Sequence, residues 1–295
     1  PESVTEQFAI AAGAEESIVA SGECGEQITW TLDSEGTLTI SGEGEMKGYD
    51  PPWKDYKNDI KSVLIEDGVT NIPEGVFAFY ENITSATIPA SVTSIKDLAF
   101  NGCSSLTAFH VDAENAEYTS VDGVLFSKDK TELIDYPDNK EETEYVIPAS
   151  VTSVGTYAFR DCTKLQKVDT TGWDTSNITN MQGFFYKCNA LTEITGIKDW
   201  DVSNVTSLYA TFYNMHALTE LDLSGWDTGK NTTFRAMFQG NIYQGNMKIK
   251  ELDVLKGRTL TGIVIRSTDN KGNYIVGGRL LEDDAEIMNF VNARV

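Results

Sequence analysis

Residues 147–162 read IPASVTSVGTYAFRDC, and residues 88–103 read IPASVTSIKDLAFNGC. A more divergent third copy occupies residues 65–80, and each copy has a phenylalanine near its end. The series of repeat phenylalanines is Phe77, Phe100, Phe159, Phe185, Phe212 and Phe238. Four of the five intervals measure 23–27 residues, the length of one supersecondary unit that cannot bury its apolar face alone. The repeat therefore predicts a solenoid whose units stack to form a shared core.

The pattern inside each repeat predicts its secondary structure. Apolar residues recur at positions one, four and six of a strand, as in Leu106, Phe109 and Val111, or in Ile249, Leu252 and Val254. A turn, a second short extended piece and a one- or two-turn helix ending at the phenylalanine are expected to follow. The predicted class is an α/β solenoid with a parallel sheet on one face, short helices on the other and hairpin caps at the ends, because parallel strands need such crossovers.

The chain is predicted to have five regions. Residues 1–22 form a linker, and residues 23–60 form an N-terminal cap hairpin, because Ile28, Trp30 and Leu32 alternate ahead of a turn. Residues 61–170 carry repeats with an irregular hairpin insert at 113–139, which occupies the one long interval, 59 residues. Residues 171–245 carry repeats with Trp-Asp pairs, and residues 246–295 form a C-terminal cap containing a hairpin and a helix over 282–291.

Four segments carry a family resemblance. The unit IPASVTSI-x3-AF-x2-C-x2-L, the insert SVDGVLFSKDKTELIDYP, the opening GECGEQITWTLDSEGTLTISGEGEM and the later WDTSN-x-TNM-x2-FF unit are all present. Residues 23–245 thus resemble BspA-like bacterial leucine-rich-repeat surface proteins. The resemblance implies a leucine-rich-repeat solenoid, a secreted or wall-displayed bacterial location and adhesive, partner-binding roles, and it implies no particular ligand.

Charge and hydropathy exclude two classes of partner. The chain has 45 acidic and 23 basic residues, a net charge of −22. Such a charge repels phosphate backbones and anionic lipid headgroups, so no nucleic-acid partner is expected. No run of 18 apolar residues exists in the sequence, so membrane insertion is not expected either.

The four cysteines are expected to be free thiols. Cys103, Cys162 and Cys188 each lie three residues after a repeat phenylalanine, in a slot that elsewhere holds other residue types. A cysteine in a repeated packing slot behaves as a small hydrophobe. Cys24 has no counterpart in the repeat.

The sequence offers no catalytic machinery. His110 and His216 are the only histidines, they belong to distant repeats, and neither has the spacing partner of a zinc site. We expect no enzyme activity, no cofactor and no metal site.

The Trp-Asp pairs allow two interpretations. Trp173, Trp200 and Trp226, each followed by Asp, are either sugar-stacking platforms or a packing ladder with Asp-capped turns, and their repeat spacing favours the ladder. The sequons at Asn177 and Asn204 recur in the same way and favour an internal ladder.

One candidate binding surface remains, on the exposed face of the predicted sheet. Positions three and five of each strand point away from the core, and in the second half of the chain they are mostly carboxylates. This charged strip comprises Lys167, Asp169, Glu193, Thr195, Glu220, Asp222, Glu251 and Asp253. It is either tolerated surface charge or a docking strip for a basic ligand or a calcium-bridged partner.

These observations lead to two functional hypotheses. The first is a monomeric extracellular adhesion module that binds a host or microbial surface macromolecule, either a protein or a glycan. The second is a structural spacer that presents another domain away from the cell wall.

Overall fold

The computed structural model describes residues 17–48, 50–223, 225–227, 233–234 and 236–238, and the backbone of three strands at 248–250, 265–267 and 274–276. The chain divides into an N-terminal unit, residues 1–130 with 137–139, and a C-terminal unit, residues 131–136 with 140–295. Each unit is built from stacked turns of chain, here called rungs. The fold is a β-solenoid of leucine-rich-repeat type, as the repeat predicted.

The N-terminal unit contains ten strands. They are β1 (Ile18–Glu23), β2 (Ile28–Asp33), β3 (Thr37–Gly42), β4 (Ser62–Ile65), β5 (Asn71–Ile72), β6 (Ser85–Ile88), β7 (Ser94–Ile95), β8 (Ala108–Val111), β9 (Tyr118–Val121) and β10 (Val124–Ser127) among the residues that the structure describes. Six of them form one sheet in the order β1-β2-β3-β4-β6-β8. The first three strands pair antiparallel, and the sheet continues in parallel register from β3 onward. The predicted hairpin at Ile28 is therefore present as β2 and β3.

The C-terminal unit contains nine described strands. They are β11 (Glu132–Asp135), β12 (Glu144–Val146), β13 (Ser153–Val154), β14 (Lys167–Asp169), β15 (Glu193–Thr195), β16 (Glu220–Asp222), β17 (Lys248–Lys250), β18 (Ile265–Ser267) and β19 (Tyr274–Val276). Strands β12, β14 and β15 form a parallel sheet, and β16 pairs in parallel with β17. Strands β18 and β19 form an antiparallel pair. The hairpin predicted around residues 269–273 is therefore confirmed, whereas the predicted helix over 282–291 lies outside the described residues.

The predicted helices on the second face are wrong. The described residues contain two short 3₁₀ helices, Lys54–Tyr56 and Ile197–Asp199, and no α-helix. The segment before each repeat phenylalanine is instead a series of tight turns. The sequence prediction failed because turns of this kind bury the same residues as a single helical turn would.

Backbone hydrogen bonds explain why no helix forms there. Phe159 N donates to Phe184 O of the next rung at 3.1 Å, whereas Ala158 N donates locally to Gly155 O. The same bond to the next rung runs from Phe185 N to Thr211 O at 2.9 Å. Alternate N–H groups thus bond within the turn and to the neighbouring rung. An α-helix needs every N–H for its own i−4 carbonyl, so this division of donors excludes it.

The alternation requires left-handed backbone at fixed places. The residue two positions before each repeat phenylalanine and, in most rungs, the residue two positions after it have positive φ. They are Gly75, Leu98, Tyr157, Gly183, Ala210 and Ala236 before it, and Phe79, Gly102, Asp161, Lys187 and Asn214 after it. Left-handed backbone costs a non-glycine residue about 1–2 kcal/mol. The bonds between rungs and the buried aromatic rings must offset that cost.

The repeat phenylalanines form a buried aromatic ladder in each unit. Phe77 and Phe100 stack at 5.0 Å between ring centroids, and Phe212 and Phe238 stack at 5.7 Å. All six are at most 2% exposed, which confirms the predicted core register. Trp53 extends the ladder of the N-terminal unit, where it stacks on Phe77 at 5.8 Å.

Tyr136 occupies the ladder position in the long interval of the sequence. Its ring stacks on Phe159 at 4.9 Å, and its N–H donates to Ala158 O, as a repeat phenylalanine would. The 59-residue interval therefore contains an additional rung with tyrosine in place of phenylalanine.

One further detail of the sequence prediction needs correction, and one hairpin was not predicted. Residues 18–22, assigned to a linker, lie in β1, an exposed strand that lacks the apolar alternation of a half-buried one. In the insert, β9 and β10 form a hairpin around Asp122 and Gly123, both with positive φ. Asp-Gly is a strong signal for a two-residue hairpin turn, so this turn could have been found in the sequence.

The ladder position of Tyr136 leads to a stability prediction. Its hydroxyl oxygen is buried and has no hydrogen-bond partner. Tyr136→Phe removes this unsatisfied group and keeps the stacked ring, so it should raise the free energy of unfolding by up to about 1 kcal/mol. Chemical denaturation of the variant and the wild-type protein checks this result.

Thr211→Val is the matched control. Thr211 is fully buried, and its hydroxyl donates to Met181 O at 2.8 Å. Loss of this satisfied hydroxyl should lower the free energy of unfolding by about 1 kcal/mol. Equal destabilisation by the two substitutions would contradict the assignment of Tyr136 as an unsatisfied ladder residue.

Candidate functional site

The charged strip was the one binding surface that the sequence suggested. In the structure, Lys167 lies between Glu144 and Glu193 in the register of β12, β14 and β15. Its ammonium nitrogen lies 3.3 Å from Glu193 Oε2. Asp169 and Thr195 are cross-strand partners two positions further along. The first half of the strip is therefore a set of internally paired groups.

Asp169 is held by hydrogen bonds from its neighbours. Its Oδ1 accepts from Thr195 Oγ1 at 2.5 Å and from Thr171 N at 2.9 Å. These bonds, with the Thr195 hydroxyl contributing most, lower the pKa of Asp169 to about 2. The carboxylate thus stays ionised at neutral pH and ties β14 to β15.

The second half of the strip differs from the prediction. Glu220 lies opposite Lys248 and Asp222 lies opposite Lys250, because Leu221 pairs with Ile249. The apolar pattern instead predicts that Leu221 pairs with Leu252, which lies three residues after Ile249. That pairing would place Glu251 and Asp253 beside the carboxylates of β16. That register is wrong, because Leu221 pairs with Ile249. The apolar repeat fits either Ile249 or Leu252 and so does not distinguish the two registers. Glu251 and Asp253 themselves lie outside the described residues.

Of the strip, the structure describes Lys167, Asp169, Glu193, Thr195, Glu220 and Asp222. Its residues also belong to two separate sheets, β12-β14-β15 and β16-β17. Binding of a basic partner by this face stays a prediction.

The two histidines lie in different units of the chain. His110 is half-buried in β8 of the N-terminal unit, opposite Thr87. His216 is exposed in the C-terminal unit, and its Nε2 lies 3.0 Å from Asn214 Oδ1. Among the described residues, no group of three His, Cys, Asp or Glu side chains could hold a metal ion. The same residues include no helix of the length and hydropathy needed to cross a bilayer.

The tryptophans of the Trp-Asp repeats form a packing ladder, as predicted. Trp173, Trp200 and Trp226 are at most 5% exposed, and the last two stack at 5.8 Å. Trp226 Nε1 donates to Ile197 O at 2.8 Å in the preceding rung. Asp174 and Asp201 each accept the N–H two residues ahead at 3.0 Å, so they cap turns. These residues are occupied by the fold and are not sugar-stacking platforms.

The sequon at Asn204 also serves the fold. Its side-chain nitrogen donates to Ser176 O in the preceding rung at 2.7 Å, and Thr206 Oγ1 donates to Thr179 O at 3.0 Å. This arrangement confirms the predicted internal ladder at this rung.

The cysteines are buried free thiols, as predicted. Cys103 Sγ donates to Phe77 O at 3.2 Å, and Cys188 Sγ donates to Phe159 O at 2.8 Å. The cysteine three residues after a ladder phenylalanine thus donates to the backbone carbonyl of the ladder phenylalanine in the preceding rung. Burial raises the pKa of Cys24 to about 11, so this thiol is protonated at neutral pH.

A surface that the sequence analysis missed lies on the turn face of the C-terminal unit. We call it the tyrosine ridge, and it comprises Tyr157, Arg160, Tyr186 and Tyr213. The rings of Tyr157 and Tyr186 meet edge to face at 5.4 Å, and Tyr186 stacks on Tyr213 at 4.6 Å. The Arg160 guanidinium lies 4.8 Å from the Tyr186 centroid and 5.5 Å from that of Tyr157. All four side chains are half-buried.

The ridge arises mainly from one repeat slot. Arg160, Tyr186 and Tyr213 each follow a ladder phenylalanine directly, in three successive rungs. The corresponding residues of the N-terminal unit are Ala78 and Asn101, so the fold does not require an aromatic ring there. A comparison of this slot between rungs could have found the ridge in the sequence.

Two family comparisons cover most of the chain. Residues 55–146 match the BspA type leucine rich repeat region in six copies. Residues 155–274 match a family described as Mycoplasma protein of unknown function, DUF285. The resemblance seen in the sequence is thereby confirmed over residues 55–146, which match the BspA type repeat model. A search of curated proteins gives no match.

Several solved bacterial proteins are similar to this chain. A leucine-rich repeat protein from Eubacterium ventriosum is 20% identical, with 78% of this chain and 84% of that chain covered and a TM-score of 0.40. The pneumococcal vaccine antigen PcpA is 16% identical, with coverage of 81% and 90% and a TM-score of 0.46. A leucine rich cell surface protein from Faecalibacterium prausnitzii is 18% identical, with coverage of 79% and 88% and a TM-score of 0.44.

The hydrogen bonds of Asp169 predict a pH-dependent contribution to stability. Its folded pKa of about 2 lies below the unfolded value of about 3.9, so the ionised form stabilises the fold above pH 4. That contribution is lost as the pH falls from about 4 to about 2. Asp169→Asn should therefore be destabilising at pH 7 and nearly neutral near pH 2, measured by denaturant unfolding across this range.

Thr195→Val provides the control because it removes the main donor to Asp169. In the Thr195→Val background, Asp169→Asn should show a much smaller dependence on pH. If Asp169→Asn instead changes the free energy of unfolding by the same amount at every pH from 7 to 2, the result would contradict this account.

Proposed function

We propose that this protein is an extracellular binding module of a bacterial surface protein, and that it engages a surface macromolecule through the tyrosine ridge. The single observation that carries this proposal is the ridge itself. Tyrosine and arginine are among the residue types most enriched at binding hot spots, and here they fill one half-buried surface slot in three successive rungs. The proposal includes a non-enzymatic role and a secreted or cell-surface location, which the BspA-type repeats support.

The ridge has the physical properties of a preorganised binding surface. Arg160 is fixed by its Nε, which donates to Asp161 Oδ2 at 2.9 Å, and by the two tyrosine rings that it contacts. Tyr186 and Tyr213 are fixed by their mutual stacking at an interplanar angle of 11°. A partner would therefore meet side chains that have already lost most of their conformational entropy, which favours affinity.

Binding of the labelled protein to whole bacterial cells and to epithelial cells tests this function. The wild-type protein should bind saturably to at least one cell type. The variant Arg160→Ala/Tyr186→Ala/Tyr213→Ala should lose most of this binding while it keeps the wild-type circular dichroism spectrum. If truncation to alanine unfolds the protein, Tyr213→Ala alone replaces the triple variant, because Tyr213 lies at the end of the ridge.

A charge-neutralised strip is the matched control. Glu193→Gln/Glu220→Gln/Asp222→Asn leaves the ridge intact and should bind cells as the wild-type protein does. If the strip variant loses binding while the ridge variant keeps it, and if salt weakens the binding of the wild-type protein, the charged strip is the functional surface. The absence of saturable binding to any cell would instead favour the spacer hypothesis.

A further inference from the structure

We propose that the free edge of β1 is a docking surface for an extended segment of a protein partner that carries lysine or arginine. The proposal concerns the N-terminal unit, so it goes beyond the proposed function and does not depend on the tyrosine ridge. It is carried by the place of β1 in its sheet, by the direction of its backbone groups and by the charge of the surrounding chain.

Strand β1 has a neighbour on one side only in the part of the chain that the structure describes. It is the first strand in the sheet order β1-β2-β3-β4-β6-β8, so its outer edge has no partner strand there. The strand is as long as β2 and β3, at six residues, and all six are exposed or half-buried. Strand β1 therefore has the length and the exposure needed to accept an added strand.

The pairing of β1 with β2 shows which backbone groups face the outer edge. Cys24 N donates to Ile28 O at 2.9 Å, so Cys24 points its backbone groups toward β2. The register is regular from Ala20 to Glu23, and in an antiparallel pair alternate residues point their N–H and C=O groups toward the partner strand. Ser21 and Glu23 therefore point theirs away from β2, toward the outer edge.

Strand β1 lacks most of the features that protect the edges of sheets. Protected edges have lysine side chains, prolines, bulges or a covering element. Residues 18–22 contain neither a charge nor a proline, and Ile18 and Val19 are each 57% exposed. A bulge between Ile18 and Ala20 is the one such feature within the strand, and it leaves Ala20 to Glu23 in regular register. This regular stretch and its apolar end are open to pairing.

The charge around β1 favours a basic partner. The first 46 residues contain ten Asp and Glu residues and no Lys or Arg. Glu23 in β1 and Glu26 in the turn to β2 are exposed. Gly25 pairs with Met46, which places the exposed Glu45 next to the same turn. A basic segment is attracted by these carboxylates, whereas a second copy of this chain would bring its own acids against them.

Titration with matched peptides tests the proposal. The main probe is a decapeptide of alternating lysine and valine, which combines basic charge with a residue type that favours strands. The first comparison probe replaces lysine by glutamate. The second is the lysine–valine decapeptide with every backbone nitrogen methylated, so it keeps the charge but has no backbone N–H donor. The main probe should bind the full chain saturably, and both comparison probes should bind at least about tenfold more weakly.

Amide hydrogen exchange of the full chain locates the binding. The amides of Ser21 and Glu23 should exchange quickly in the free protein, and saturating lysine–valine peptide should slow them about tenfold or more. The amide of Gly22, which faces β2, should change much less. Slow exchange at Ser21 and Glu23 in the free protein would overturn the proposal, because the edge would already be covered. Fast exchange after deletion of residues 1–16, or after dilution, would then identify the chain itself or a second copy as the occupant.

A proline substitution tests the backbone contact. Ser21→Pro removes an N–H group that faces the outer edge, where proline is tolerated, so the protein should fold and bind the peptide about tenfold or more weakly. Ser21→Ala is the matched control, because it loses the hydroxyl but keeps the N–H, and it should bind as the wild-type protein does. Unchanged binding by a folded Ser21→Pro protein would overturn the proposal.

A pair of carboxylate variants keeps the test independent of the proline. Glu23→Gln/Glu26→Gln leaves the backbone of β1 intact and should weaken peptide binding and its dependence on salt. Glu114→Gln/Glu117→Gln neutralises two exposed carboxylates elsewhere in the same unit and should leave binding unchanged. Equal loss in the two variants, no binding of the lysine–valine peptide, or equal binding of its methylated form would overturn the proposal.

Discussion

The structure depends on one hydrogen bond that recurs from rung to rung. The N–H groups of five ladder aromatics donate to a carbonyl of the next rung, namely Phe77, Tyr136, Phe159, Phe185 and Phe212. In the phenylalanine rungs this bond takes every second donor of the turn, so the turn cannot close into a helix. Those rungs have a left-handed residue two positions before the phenylalanine and, in most of them, another two positions after it. The buried ring and the shared bonds then tie each rung to its neighbours, which is how a solenoid becomes stable through its interfaces.

The same constraint separates the residues that hold the fold from those that are available for function. Ladder rings, the cysteine slot and the Trp-Asp pairs are all engaged in contacts between rungs. The slot directly after the ladder phenylalanine accepts Ala78 and Asn101 as well as Tyr186, so the fold does not fix its residue type. On the exposed sheet face, by contrast, Lys167 forms an ion pair with Glu193, and Asp169 accepts a hydrogen bond from Thr195. The turn face is therefore the candidate binding surface of the C-terminal unit.

Sequence periodicity predicted the solenoid, the parallel strands and the buried phenylalanines, because each depends on apolar residues at constant spacing. It missed Tyr136 and Trp53 as ladder members, since they differ in residue type from the repeat phenylalanines. It predicted helices because a local pattern does not reveal that alternate N–H groups bond to the next rung. It misaligned the strand after β16 because the apolar repeat fits either Ile249 or Leu252. The tyrosine ridge was not predicted because the slot directly after the ladder phenylalanine varies in residue type, from Ala78 and Asn101 to Tyr186 and Tyr213.

The central claim is the hydrogen bond between rungs, and scalar coupling across hydrogen bonds tests it directly. In perdeuterated, isotope-labelled protein, the amide nitrogen of Phe159 should show coupling to the carbonyl carbon of Phe184, and that of Phe185 should show coupling to Thr211. Coupling of Phe159 to Gly155, four residues earlier, would show a helix before the phenylalanine and would contradict the account.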